Sequence, residues 1–256
     1  MDGIRSAALW RTDIEQMTAR FQHADHVLKL RLPVDLQRRR LVDLGCGVGN
    51  IVMAAQRHGF DQAIGIDANL RAFEWFEPRE FPSICREFHA DPRRCRLIEG
   101  DVYALDLPPA DLVTMIDVIE HVLEPAKFIA RAAELVAPGG CLLIDTAPLF
   151  YSPHGHHLFD RIPAHLPWQH LRRDFDVGRL DAWAQTNFLD LNRVTHDEIE
   201  AAVRETGLVI EQVHRDAPSD AQQAALEEWR PELELTGVDE RWLFEGWIML
   251  VARRSS

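Results

Sequence analysis

Three glycines, at positions 45, 47 and 49, follow an apolar stretch in the segment LVDLGCGVGN over residues 41–50. Because glycine has no Cβ, it lets the main chain turn sharply and approach a ligand closely. A glycine-rich turn between a strand and a helix also leaves N–H groups free at the helix N-terminus, where they can donate hydrogen bonds. The spacing therefore predicts a ligand site built mainly from main chain.

Acidic residues end or follow the next apolar stretches. Asp67 ends the run AIGID, Asp101 and Val102 belong to EGDV after RLIE, and Asp117 follows DLVTMI. An acid after the second strand of an α/β sheet can accept hydrogen bonds from ribose hydroxyls. An acid beside an apolar residue can bind an exocyclic amine while the apolar side chain packs against the base. The acids thus indicate a ligand with an adenosine part.

The spacing of the glycines separates two classes of nucleotide ligand. Dinucleotide-binding folds use G-x-G-x-x-G, and this chain has Asn50 where the third glycine of that pattern would stand. The loop also lacks a basic residue. A pyrophosphate fits this pattern poorly, so a nicotinamide oxidoreductase is disfavoured, whereas a cationic ligand carrying adenosine fits it well.

The elements that must position these residues alternate between short apolar strands and helices. We predict helices over residues 12–30, 50–58, 69–76, 125–136, 196–206 and 220–230, and strands over 40–44, 63–67, 96–99, 111–116, 141–145, 208–213 and 246–252. Pro138-Gly139-Gly140 is expected to end the fourth helix, and Thr195 to cap the fifth. This order predicts an α/β fold with a mainly parallel, doubly wound sheet.

The regular alternation stops between residues 148 and 194, which are rich in Pro, His, Arg and aromatic residues. Such a stretch is too long for a plain connection, and we predict an insertion or lid over the acceptor site. Residues 1–37 are expected to form an N-terminal helical cap, and residues 1–256 a single domain.

Composition excludes several classes of partner. The net charge of -13 argues against nucleic acid and anionic membranes. No signal pattern or membrane-length apolar run is present, and the four cysteines lack a paired metal spacing. We therefore expect a cytoplasmic protein with reduced thiols that acts on a small molecule. Its oligomeric state is left open.

The motifs together resemble those of the class I S-adenosylmethionine-dependent methyltransferases, especially the group that includes ubiquinone-pathway and related small-molecule enzymes. The resemblance spans residues 38–148 and, by element order, 195–256. It rests on DLGCGVGN at 43–50, GID at 65–67, EGDV at 99–102, DVIEHV at 117–122 and APGG at 137–140. It implies a Rossmann-like seven-stranded sheet with an antiparallel last strand beside strand five, and S-adenosylmethionine as cofactor.

The resemblance also implies roles for individual residues. Gly45 and Gly47 would hold the methionine part of the cofactor, and Asp43 would steer its amino group through water. Asp67 would hold the ribose, Asp101 with Val102 the adenine, and Asp117 would face the methionine end. The full expected cofactor-binding set is Asp43, Gly45, Cys46, Gly47, Asp67, Ala68, Asp101, Val102, Asp117 and Val118.

Histidines are concentrated in the predicted insertion, which holds five of the twelve, at positions 154, 156, 157, 165 and 170. The segment YSPHGHHLFD at 151–160 follows strand five directly and should lie over the transferred methyl group. A histidine there could take a proton from a substrate hydroxyl, because its pKa lies near neutral. The catalytic candidates are His157, His154 and Tyr151; the alternative is that the histidines cap loops or pack beneath a lid.

Asp117, Glu120 and His121 are spaced i, i+3 and i+4, so they could share one helical face and hold a divalent cation. The Glu-His-Val string also occurs in relatives without metal, and we therefore assign no metal ligand.

Two further groups in the insertion leave alternatives open. The arginines could bind an acidic acceptor, but we favour solvated ion pairs; they are Arg161, Arg172, Arg173, Arg179 and Arg193, with Asp160, Asp174, Asp176 and Asp181 as partners. The aromatic residues could line an acceptor pocket, but we favour anchoring of the insertion; they are Trp168, Phe175, Trp183 and Phe188.

The sequence as a whole predicts a methyltransferase for a small molecule, with transfer to oxygen favoured over nitrogen or carbon. Methylation of a sugar or a carrier-bound substrate is an alternative. A cofactor-binding regulatory subunit without catalysis is the alternative from another class.

Overall fold

Seven strands form one sheet within residues 12–159, 161–162 and 166–256, the part of the chain described by the computed structural model. They are β1 (Arg40–Leu44), β2 (Gln62–Asp67), β3 (Cys95–Glu99), β4 (Ala110–Ile116), β5 (Val136–Thr146), β6 (Val209–Arg215) and β7 (Ile248–Arg253). Their order is β3-β2-β1-β4-β5-β7-β6. β1 pairs in parallel with β2 and β4, and β2 with β3, whereas β7 is antiparallel to β6. The predicted sheet, with its last strand beside β5, is confirmed.

The described helices are α1 (Ile14–Arg31), α2 (Asn50–Arg57), α3 (Phe81–Glu87), α4 (Pro125–Leu135), α5 (Ala182–Leu189), α6 (His196–Glu205) and α7 (Asp220–Trp229). Thr195 caps α6 as predicted, in a reciprocal capping box with Glu198 that satisfies two N–H groups. Among the residues described, no helix combines the length and apolar character that a membrane span requires.

The predicted helix over residues 69–76 is wrong, because this segment forms consecutive turns and the helix begins later, at Phe81. The Asp67 carboxylate accepts the N–H of Asn69, and the Asn69 side chain accepts the N–H of Arg71. Such local side-chain bonds offer the main chain an alternative to helical hydrogen bonds. Pro82, in the first turn of α3, suits the start of a helix because it needs no N–H partner there.

The segment APGG at 137–140 also differs from expectation. It belongs to β5, which begins at Val136 directly after α4 and runs eleven residues. The main chain at Gly139 and Gly140 instead pairs with Arg254, just after β7. Gly140 admits no larger residue there, since a Cβ would lie 2.9 Å from main-chain oxygens. The glycines therefore serve a close strand contact rather than a helix end.

The described residues divide into two compact units. The first holds the residues up to Ile116, Glu134–Leu143 and Arg254–Ser256; the second holds Asp117–Ala133 and Ile144–Arg253. In the first unit, β1 and β4 are buried along nearly their whole length. In the second, an aromatic and aliphatic core surrounds the fully buried Trp168. The single-domain organisation and the roles of residues 1–37 and 148–194 stay predictions, and residues 1–11, 160 and 163–165 lie outside the described part.

Candidate active site

The glycine loop of the first unit has a conformation that side chains rarely adopt. Gly47 has φ +49° and Gly49 φ +83°, in the left-handed region. A Cβ on Gly49 would lie 2.7 Å from the ring of Phe81, so no larger residue fits. The Gly47 N–H donates to Asp67 Oδ2 at 2.8 Å, and the loop is thus fastened to the end of β2. The predicted backbone-lined turn is present in this geometry.

Carboxylates lie at the same edge of the sheet as this loop. The register of the parallel strands pairs Asp67 at the end of β2 with Glu99 at the end of β3. Asp67 is half-buried, whereas the Asp101 side chain is exposed and its neighbour Val102 is buried. The assignment of Asp101 and Val102 to the adenine stays a prediction. Ala68, also in the predicted set, is exposed beside Asp67.

Asp43 differs from the other acids because it is 3% exposed within β1. Its Oδ1 accepts a hydrogen bond of 2.7 Å from the Thr114 hydroxyl in β4. Burial raises the pKa of Asp43 to about 7, against the lowering effect of the Thr114 bond. A cation nearby would favour the ionised form. The neighbouring Cys46 is a buried free thiol whose pKa is also raised by burial.

The donor set of this loop fits a cationic nucleoside better than a phosphate. Residues 45–49 contain no basic side chain, and the carboxylates of Asp43, Asp67 and Asp101 lie in or directly after the three adjacent strands β1, β2 and β3. In parallel α/β sheets, ligands bind at this edge.

The second unit begins with Asp117, directly after β4, in a left-handed conformation with φ +51°. Its N–H donates to the Asp145 carbonyl at 3.0 Å, which fixes the strained residue at the end of β5. Such non-glycine residues are uncommon and cluster at functional sites. Val118, the next residue of the predicted set, is half-buried.

Glu120 lies on the short 3-10 turn Ile119–His121 and is 2% exposed. Its Oε2 accepts a short hydrogen bond from the Thr146 hydroxyl, while Oε1 has no hydrogen-bond partner among the described residues. Burial raises the pKa of Glu120 to about 7. This carboxyl is therefore poised to exchange a proton or to meet a positive charge.

His157 is held in a defined tautomer. Its Nε2 lies 2.7 Å from the Pro148 carbonyl oxygen, which can only accept, so Nε2 carries the hydrogen and Nδ1 the lone pair. The ring packs edge-on against His121, with centroids 5.1 Å apart, and the backbone has φ +54°. Burial lowers the pKa of His157, so the ring is neutral near pH 7.

One group of side chains among the described residues could hold a metal ion, and it differs from the predicted trio. Ligand atoms of Glu120, His121 and His157 all lie within 4.8 Å of one another. Asp117 is not part of this group, because Ile119–His121 is a 3-10 turn rather than a continuous α-helix. His157 takes its place from the segment after β5.

The remaining insertion residues have different surroundings. His154 is half-buried and packs near Phe159, and Tyr151 packs against Phe150 and Trp242. His156 and His170 are buried, with ring centroids 5.5 Å apart. These two histidines therefore match the alternative of packing, whereas His165 and Asp160 lie outside the described residues.

The arginines and aromatic residues of the insertion mostly have the favoured structural contacts. Ion pairs join Arg161 to Asp181, Arg172 to Asp174, Arg173 to Glu234 and Arg179 to Asp176, and Arg193 lies over the Phe150 ring. Trp168 and Phe188 belong to the core and Phe175 packs against it, while Trp183 is 58% exposed.

Sequence reasoning missed the side chains that support this site. Thr114 bonds Asp43, and the Asn192 amide donates to the carbonyls of Ile119 and Val122, which fixes the turn carrying Glu120. A hydroxyl within the apolar run DLVTMI was the available signal for Thr114. Asn192 lies 70 residues or more from its partners, so no local pattern indicated it.

Comparison with known proteins agrees with this geometry. A family model described as "Methyltransferase domain" matches residues 15–213. The ubiquinone biosynthesis O-methyltransferase of Cereibacter sphaeroides is 31% identical over 136 residues, covering 52% of this chain and 49% of that protein. The corresponding enzyme of Alkalilimnicola ehrlichii is 30% identical over 157 residues, covering 59% and 60%. The chain thus spans about half to three-fifths of these relatives' lengths.

Among solved structures, an S-adenosylmethionine-dependent methyltransferase from Mesorhizobium loti is similar at a TM-score of 0.54 and 21% identity, covering 90% of this chain and 98% of that chain. This likeness supports the fold, and the family match covers most of the sequence. The chain belongs to the methyltransferase-domain family and has the fold of the class I S-adenosylmethionine-dependent methyltransferases.

Proposed function

We propose that this protein is an S-adenosylmethionine-dependent methyltransferase that methylates a hydroxyl group of a small molecule. The observation that carries the choice of cofactor is the pairing of a glycine loop without basic side chains with carboxylates at the ends of β1, β2 and β3. Carboxylates stabilise a sulfonium cation and repel a pyrophosphate.

Residues of the first unit would hold the cofactor. The main chain at Gly45 and Gly47 would contact its methionine part, Asp67 its ribose, and Asp101 with Val102 its adenine. When bound, S-adenosylmethionine supplies a methyl group already activated on sulfur. The protein then needs chiefly to align an acceptor atom and to remove its proton.

The preference for oxygen depends on His157. A hydroxyl must lose its proton as it accepts a methyl group, and Nδ1 of His157 offers a lone pair on a ring kept neutral by burial. The names of the two ubiquinone-pathway relatives point to the same acceptor atom. His154 and Tyr151 are secondary candidates for this step.

A divalent cation held by Glu120, His121 and His157 is the second candidate for activating the hydroxyl. The observation in its favour is the unpaired, buried Glu120 Oε1, 4.0 Å from His121 Nε2. Because His157 Nε2 is bonded to a carbonyl oxygen, only Nδ1 is left, so His157 can act as the base or as a metal ligand but not as both. We favour the metal-free route, in which Nδ1 accepts the proton directly.

Calorimetric titration tests the cofactor. We expect S-adenosylmethionine to bind and NAD not to bind. Asp67→Ala should weaken S-adenosylmethionine binding by at least about tenfold, because a ribose hydrogen-bond acceptor is lost. Asp61→Ala, which removes an exposed acid at the opposite end of β2, is the matched control and should bind normally.

Thermal melting of both variants is needed, since Asp67 also bonds the glycine loop. Binding of NAD alone would overturn the proposal, and a folded Asp67→Ala variant with normal affinity would refute the assigned ribose contact.

A further inference from the structure

A cavity of about 740 Å³ lies in the second unit, between the segment after β6 and the segment before β7. Its charged lining among the described residues comprises five carboxylates and one guanidinium, from Asp216, Asp220, Glu227, Glu240, Glu245 and Arg241. Leu226 and Phe244 add apolar surface. A volume of this size accommodates a small organic molecule.

The positive charges near the cavity are already engaged. Arg230 pairs with Glu227 and Glu240 at the rim, Arg215 pairs with Glu245, and Arg241 pairs with Asp239. Five lining carboxylates against these three arginines leave an excess of negative charge, which attracts cations and disfavours an acidic ligand.

Glu245 is the most buried charged residue of the lining. It is 9% exposed, and its Oε1 pairs with Arg215 at 3.2 Å. Its Oε2 is buried without a hydrogen-bond partner among the described residues, although Glu245 lines open space. Because this oxygen is enclosed by protein, an ammonium group in the cavity would be attracted to the Glu245 carboxylate by its charge, and a direct hydrogen bond to Oε2 would require the side chain to turn toward the cavity.

The cavity lies at the edge of the sheet where α/β proteins bind ligands. Arg215 at the end of β6 pairs with Ile248 at the start of β7, so both neighbouring segments leave the sheet on one side. This side is the one at the carboxyl end of β5, because the indole N–H of Trp247, just before β7, donates to Asp145 near the end of β5 at 2.7 Å. The cavity thus opens at the carboxyl end of β5, from which the segment carrying His157 also departs.

We propose that this cavity binds a protonated amine of the methyl acceptor, with Glu245 as its principal partner and Leu226 and Phe244 packing against the carbon skeleton. The acceptor is then a hydroxylated organic amine. An organic cation is favoured over a metal ion because of these apolar walls. The assignment of this ligand as the acceptor rests on the proposed methyltransferase function.

Two probes of nearly equal shape test the charge requirement. Tyramine carries an ammonium group and tyrosol a hydroxyl in its place, and both keep a phenol as methyl acceptor. In calorimetry at pH 7.5 and low salt, we expect tyramine to bind at least about tenfold more tightly than tyrosol. Glu245→Gln should remove most of this difference.

Control variants separate charge from folding. Because Glu245 also pairs with Arg215, thermal melting must accompany Glu245→Gln, and Glu227→Gln provides a second lining variant, for which we expect about a threefold loss of tyramine affinity. Glu228→Gln, at the adjacent exposed residue of α7 outside the lining, should bind tyramine like the wild type.

Equal binding of tyramine and tyrosol, no binding of tyramine, or tyramine binding that survives both lining substitutions would overturn the proposal. Titrations with and without S-adenosylhomocysteine separate it from the methyltransferase function. Failure of tyramine with normal cofactor binding refutes only the amine site. Tyramine binding without any cofactor binding refutes the acceptor role.

Discussion

His157 has one ring nitrogen committed as a donor and the other free to accept a proton. The Pro148 carbonyl fixes this tautomer, and burial keeps the ring neutral at pH values where an exposed histidine would begin to be protonated. Its neighbour Glu120 has a pKa raised to about 7 by burial. A neutral histidine with a free lone pair and a carboxyl group with a pKa near neutrality thus belong to one side-chain cluster with His121.

Replacing His157 by Ala is expected to lower kcat by about 10²–10⁴-fold, the usual contribution of a general base. Cofactor affinity should stay within about twofold of wild type, because no cofactor contact is lost. Steady-state kinetics with a phenolic acceptor, together with calorimetry, measures both. His154→Ala is the comparison variant and should have the smaller effect on turnover.

A chelator distinguishes the two roles of this cluster. Full activity of wild-type enzyme after dialysis against EDTA supports the base, whereas loss of activity that Mg²⁺ restores supports the cation. Normal turnover in His157→Ala contradicts both.

At the scale of elements, the turn after β4 is held by a residue distant in sequence. The Asn192 side-chain amide donates to the carbonyls of Ile119 and Val122 at 2.7 and 2.8 Å. The main-chain N–H of Asn192 donates to the Glu120 carbonyl at 2.9 Å. Three hydrogen bonds therefore connect the segment before α6 to the turn that carries Glu120 and His121.

Asn192→Ala should lower the free energy of unfolding by about 1–3 kcal/mol, because two carbonyls lose their donor. Turnover should also fall, since the turn would no longer be fixed. Urea unfolding and kinetics provide the measurements. Asn187→Ala, at a half-buried residue of α5, removes a local, solvent-exposed amide bond to Trp183 and should cost less than about 0.5 kcal/mol. Equal losses in the two variants would contradict the role assigned to Asn192.

The sequence predicted those elements whose causes are local. The buried strand β1 and the capping box at Thr195 follow from residues next to one another, and both are confirmed. The prediction of a helix over residues 69–76 was wrong because side-chain hydrogen bonds to Asp67 and Asn69 compete with the helix that the apolar spacing suggested. The Asn192 contacts and the cavity around Glu245 depend on residues far apart in sequence, and no periodicity encodes them.

At the scale of the whole molecule, the contributions of buried titratable groups to stability change with pH in opposite directions. Burial raises the pKa of Asp43 and Glu120 to about 7, so their contribution to stability is lost as pH rises from about 4 through 7. Burial lowers the pKa of His156, His170 and His196 to about 4, 3 and 4. Their contribution is present above about pH 6.5 and is lost as pH falls, because the unfolded chain takes up protons that the folded chain refuses.

The contribution of His170 to this pH dependence can be measured separately. Its Nε2 donates to the Phe150 carbonyl, and the ring is 6% exposed. Between pH 7.5 and 5.0, an imidazole with a folded pKa of about 3 and an unfolded pKa of about 6.5 should cost about 2 kcal/mol of unfolding free energy. His170→Gln removes the proton uptake but can keep a donor for Phe150. The variant should therefore lose about 2 kcal/mol less than wild type on acidification, whatever its stability at pH 7.5.

Urea unfolding of wild type and variant at both pH values measures this difference. His23→Gln, at an exposed histidine of α1, is the control and should lose as much unfolding free energy between pH 7.5 and 5.0 as the wild type. If His170→Gln loses as much stability as the wild type, the ring accepts a proton in the folded state. Burial of the insertion histidines would then not explain acid sensitivity. If the difference is found, burial of His170 accounts for about 2 kcal/mol of the stability that the wild type loses between the two pH values.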